Sequence, residues 1–172
     1  MEKRRDIRRL ALLLLYQMDV AGTPDPVSIL SGMTADLLAE NEISAEPAIR
    51  EAALALAKAA WEGREACDKL ATAAAPGWPS TRQPAMDRAL IRLGCHEMLS
   101  GHAPVRVAIN EAIELAKIFG SEKSPSFVNG LLDNLSKSLT LPPQTQAPAK
   151  DAKANPQGAD AWLDDAKQAD AK

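Results

Sequence analysis

Residues 86–99 read MDRALIRLGCHEML, and residues 104–137 read PVRVAINEAIELAKIFGSEKSPSFVNGLLDNLSK. Apolar side chains recur here every three or four positions, the period of a helix with one buried face. Val105, Ile109, Ala112, Ala116 and Phe119 share one such face; Phe127, Val128, Leu131, Leu132 and Leu135 share the next. Pro104 opens the first of these helices, where a missing amide hydrogen costs nothing. Gly120 ends it as a C′ glycine, and Ser124-Pro125 starts the last helix. A further helix precedes them over about residues 83–100. Asn110 and Asn129 interrupt the apolar rhythm and read as side chains that hydrogen-bond a neighbouring helix end. Gly130 costs about 1 kcal/mol relative to Ala inside a helix, so it reads as a close helix crossing.

Upstream, helical patterns cover about 4–20, 27–42 and a long alanine-rich stretch from an N-cap at Ser44 to about Ala75. APGWPS at 75–80 breaks the pattern and divides the chain into an N-terminal region, 1–76, and a C-terminal region, 77–140. Residues 141–172 are rich in Pro, Gln, Ala and charge, with little to bury, and read as a disordered tail.

The 172 residues include 32 alanines and 21 leucines and are poor in β-branched and aromatic side chains, so the fold class is all-α. No apolar run reaches the length of a membrane span, and no cleavage site follows the apolar run 10–16, which points to a cytoplasmic protein. Cys67 and Cys95 stand apart without a metal-ligand spacing, so no metal site is expected. Phosphate-binding, nucleotide-binding and nucleophile-elbow motifs are missing, and the expectation is a protein that is not an enzyme.

KRRDIRR at 3–9 opens the first helix. Arg4 and Arg8, and Arg5 and Arg9, are like charges one helical turn apart, and they lie where the helix dipole disfavours cations. Local physics opposes this arrangement; a polyanion would relieve it, although the formal net charge of the chain is −3. Tyr16, the one tyrosine, lies two turns beyond Arg9 and is suited to stacking on an unpaired base.

The two stretches 86–99 and 104–137, with VAINEAIELAK and FVNGLLD as a pair, closely resemble the NusB family of transcription antitermination factors. RRDIRRLALLLLY at 4–16 is similar to the start of that family. The resemblance implies two packed helical bundles, no catalysis and no cofactor. It implies the ribosomal protein NusE as partner, a single-stranded boxA-like RNA as ligand, and an indirect link to elongating RNA polymerase. It carries Arg4, Arg5, Arg8 and Tyr16 over to the RNA surface. Lys3 and Arg9 join them on charge, and His96 stands where relatives commonly have a tyrosine. The resemblance places the NusE-facing surface at Glu111, Ser121, Glu122, Lys123, Ser124 and Phe127. Relatives often have an acid where Lys123 stands and a base where Ser126 stands. The competing reading is a helical scaffold that binds NusE without touching RNA. A NusB-like module of an RNA methyltransferase is disfavoured, because the chain leaves no room for the enzyme domain. A homodimer using an apolar face such as Leu12–Leu15 is a further possibility.

Overall fold

The computed structural model describes residues 2–139, so the tail expected at 141–172 lies outside the described residues. Among them there are helices and turns but no strand: α1 (Glu2–Ala21), α2 (Pro26–Gly32), α3 (Ala35–Glu40), α4 (Pro47–Glu62), α5 (Arg64–Ala74), a 3-10 turn (Ser80–Arg82), α6 (Ala85–Ser100), α7 (Val105–Phe119) and α8 (Ser124–Ser138). The all-α expectation holds.

Helix α6 is the hub, packing against α1, α4, α5, α7 and α8, while α1 lies along α4. The apolar faces supply the reason. Leu10, Leu14, Leu15 and Met18 of α1, Ile49, Ala53, Ala57 and Ala60 of α4, Leu90 and Leu93 of α6, and Leu132 and Leu135 of α8 are all buried. Each fully buried leucine contributes about 1.5–3 kcal/mol relative to exposure. The alanines of α4 let α1 approach closely. Leu12, Leu14 and Leu15 are themselves in this core, so the Leu12–Leu15 face is not available to a second copy of the chain.

Several local readings are corrected. The stretch 27–42 is two helices, because the Thr34 hydroxyl accepts the Leu37 amide at 3.2 Å and caps a new start. The alanine-rich stretch breaks at Gly63, where the Gly63 amide bonds Ala59 O and the Arg64 guanidinium donates to Trp61 O at 2.9 Å. Ser44 does not cap α4, which begins at Pro47; its hydroxyl accepts the Glu46 amide at 3.3 Å instead.

Gly120 has φ −92°, not a left-handed conformation. A side chain is excluded there by space, since a Cβ would lie 2.7 Å from Ala116 O. Gly130 meets nothing within 4 Å, and the close crossing is at Gly94, where a Cβ would lie 2.7 Å from Leu132 Cδ1 and 3.4 Å from Ala112 Cβ. Asn110 and Asn129 are exposed and do not brace a helix end. The reason is the same for all three: periodicity shows which positions depart from an apolar stripe, but not where its edge falls.

Candidate nucleic-acid interface

The first two turns of α1 project five cations. Lys3, Arg4 and Arg5 are exposed, whereas Arg8 and Arg9 are half-buried. Arg9 and Tyr16 are seven residues apart, which places them on one helix face about 10 Å apart along the axis. Tyr16 is itself half-buried against the core.

The like-charge repulsion of this helix is met inside the chain by carboxylates from three other segments. Lys3 Nζ donates to Glu46 Oε2 at 2.8 Å, and Arg9 Nη1 lies 3.2 Å from Glu42 Oε2 and donates to the Glu42 carbonyl at 3.0 Å. Arg5 and Arg8 lie 3.6 and 3.8 Å from Glu111 Oε2 on α7. Arg8 Nε also donates to Glu97 Oε1 on α6 at 2.8 Å. Asp6, the one acid in the basic run, is buried and accepts the Ser44 amide at 3.1 Å, which ties the segment before α4 to α1.

Burial pushes the Glu97 carboxyl above the usual range; the Arg8 charge and hydrogen bond oppose this, and Glu111 adds to the rise. His96, next to it on α6, is half-buried, with its ring 6.2 Å from that of His102. Burial and then the His102 charge hold its imidazole below the usual histidine range.

The residues expected at the partner surface do not form one uniform patch. Ser121, Glu122 and Lys123 are exposed at the turn between α7 and α8, and Phe127 is half-buried. Ser124 is buried and braces the turn: its hydroxyl accepts the Ser121 amide at 2.8 Å. Glu111 sits beside Arg5 and Arg8, so the structure joins it to the basic end of α1. The sequence reads Glu97 and Glu111 as solvated or salt-bridged carboxylates but does not join them, or Glu42 and Glu46, to the basic end, because each reaches its cation across a long stretch of chain and no local spacing announces it. Asp6 carried the only local signal, an acid within the basic run.

At the other end of α1 lies a second charged cluster. Asp19 of α1 pairs with Arg88 and accepts Arg92 Nη1 at 2.7 Å; Arg92 also bonds both carboxylate oxygens of Asp68 on α5, at 2.9 and 2.7 Å. Burial disfavours the Asp19 charge, but the Arg88 and Arg92 hydrogen bonds outweigh it and hold the carboxyl below its usual range. This network fixes α1, and with it the basic end, onto α5 and α6. Among the described residues no group of three or more His, Cys, Asp or Glu side chains is arranged to hold a metal ion, and no helix is long and apolar enough to cross a membrane.

The sequence model of the NusB family matches residues 5–137. The transcription antitermination protein NusB of Symbiobacterium thermophilum is 38% identical over 140 residues, 79% of this chain and 90% of its own length. The solved NusB of T. maritima is 27% identical and superposes with a TM-score of 0.64, over 80% of this chain and 92% of that one. A chain from the crystal structure of NusB and NusE in complex with dsRNA shares the fold, at 24% identity and a TM-score of 0.65, over 81% of this chain and 99% of that one. With the family match spanning the helices from α1 to α8, the chain belongs to the NusB family.

Proposed function

We propose that this protein is an RNA-binding transcription antitermination factor that works with NusE on boxA-type RNA of ribosomal transcripts. The observation that carries this reading is the cation array Lys3, Arg4, Arg5, Arg8 and Arg9, gathered on two turns of one helix in a chain of net charge −3. The antitermination activity named for the Symbiobacterium relative supports it, as does the relative solved with NusE and RNA. Lys3, Arg4, Arg5 and Arg9 supply phosphate contacts, and Tyr16 and the His96 ring supply flat surfaces for bases. Arg8 acts from behind, holding the basic turn to α6 through Glu97.

The exposed turn Ser121–Lys123, with Phe127, serves NusE, while Ser124 sets the shape of that turn. Glu111 bridges the two regions. The role is one of binding, with no catalytic step, in the cytoplasm where transcripts are made. A titration of labelled boxA-type RNA at two salt concentrations, with and without NusE, tests this reading. Salt-sensitive binding that strengthens with NusE is the expected result. A stable complex with NusE and no RNA binding under any condition would replace it with the scaffold reading.

A further inference from the structure

Between α1 and the segment that leads into α4 lies a cleft of about 830 Å³ with cations on one wall and carboxylates on the other. Lys3, Arg5 and Arg9 line the first wall, with Asp6 among them; Glu42 and Glu46 line the second. The acidic wall is built rather than loose. Ile43 is buried in the core, the Ser44 amide is held by Asp6, and the Ser44 hydroxyl accepts the Glu46 amide.

Glu42 has φ +54°, the one non-glycine residue with positive φ among the described residues. It is the C′ residue that closes α3, with its own amide donating to Ala39 O at 3.0 Å and the Ile43 amide donating to Leu38 O at 2.8 Å. Here the conformation accompanies a double hold on one guanidinium: both the Glu42 carbonyl and its carboxylate engage Arg9. The Glu42 and Glu46 side chains are otherwise open to water, 81% and 51% exposed. Nothing in the packing of the core requires their charge.

We propose that Glu42 and Glu46 form an electrostatic gate over the basic end of α1 and set the selectivity of RNA binding. This inference rests on the RNA reading above. Each carboxylate occupies the position beside a cation that an RNA phosphate takes on binding. A strand that offers phosphates alone competes poorly with a tethered carboxylate. A strand that also stacks its bases has further free energy with which to displace it. Pairs this exposed are weak enough to yield. The gate therefore suppresses indiscriminate polyanion binding and leaves recognition of the intended element intact.

The test is fluorescence anisotropy with the full chain and two labelled single-stranded RNAs of about twelve nucleotides, one oligouridine and one boxA-type, across a salt series. Glu42→Gln/Glu46→Gln removes both charges and keeps the shapes. Glu62→Gln/Glu65→Gln, on exposed residues away from the cleft, makes the same change in net charge. The gate variant is expected to bind oligouridine about three- to tenfold tighter at low salt, with a steeper salt dependence, and to gain less on boxA-type RNA. The remote variant is expected to change affinity less than about twofold. Arg9→Gln is expected to cost more affinity in the gate background than in the wild type.

Equal behaviour of the gate and remote variants, with Lys3→Gln or Arg9→Gln still weakening RNA binding, would overturn the gate and leave the RNA face standing. No effect of any cation replacement would overturn the RNA face, and the gate with it. Glu42→Gly, which also relieves the backbone, gives the same reading if the double variant folds poorly.

Discussion

Arg8 of α1 and Glu97 of α6 form an ion pair 2.8 Å long, with side chains only 11% and 7% exposed. The sequence places Arg8 in a row of equivalent arginines, but the fold separates it from them. Arg5 has a side chain 58% exposed and lies 3.6 Å from Glu111 Oε2, so its guanidinium is open to a ligand.

The two arginines are therefore expected to respond differently to truncation. Arg8→Ala leaves Glu97 buried without its closest partner and is expected to cost about 2–4 kcal/mol of stability. Arg5→Ala is expected to cost less than about 0.5 kcal/mol and to weaken RNA binding. Urea unfolding of both variants, beside RNA titrations at one salt concentration, checks the division.

Two acids paired with arginines, Asp19 and Glu97, have opposite pH signatures. The Asp19 carboxyl is held below its unfolded value, so its contribution is full above pH 3.8 and is lost as pH falls through the folded value. Asp19→Asn is expected to destabilise by about 3 kcal/mol at neutral pH, and the gap from wild type is expected to close in acid. Glu97 runs the other way: its folded pKa is raised above 4.5, so protonating it on the way down favours the folded state. Thermal midpoints of wild type, Asp19→Asn and Glu97→Gln across pH 3 to 7, a range of about four units bracketing ordinary carboxylate pKa values, measure both signs.

Two helical glycines are expected to give opposite results with alanine. Gly130 is exposed with nothing within 4 Å, so Gly130→Ala is expected to stabilise by about 0.5–1 kcal/mol through helix propensity. At Gly94 the added methyl meets the buried Leu132 at 2.7 Å, so Gly94→Ala is expected to destabilise by about 1–3 kcal/mol despite the same propensity gain. Denaturant midpoints at constant slope separate the two.

This pair also shows how far the sequence can be read. The apolar stripes of 104–137 give α7 and α8 with nearly correct ends, because each helix's period depends on its own residues. Which glycine lies at a crossing depends on the helices facing it, and so the sequence points to Gly130 while the crossing is at Gly94. The same division holds at the basic end. KRRDIRR announces the cations locally, Tyr16 follows two turns further along the same helix, and the family motif adds His96. The partners of those cations come from Glu42, Glu46, Glu97 and Glu111, residues that only the tertiary fold brings near. The caps at Thr34 and the break at Gly63 were available in principle, but each lies inside an apolar pattern that runs through it unbroken.

Lys3, Arg5 and Arg9 of α1 are assigned to RNA phosphates under the proposed function. The most direct measurement of that assignment is the salt dependence of RNA affinity for wild type and for Lys3→Gln/Arg5→Gln/Arg9→Gln. The account predicts a slope of log affinity against log salt that flattens by about 2 in the triple variant, about 0.7 for each lost contact with a single strand, with helicity unchanged. An unchanged slope and unchanged affinity in a folded triple variant would contradict it.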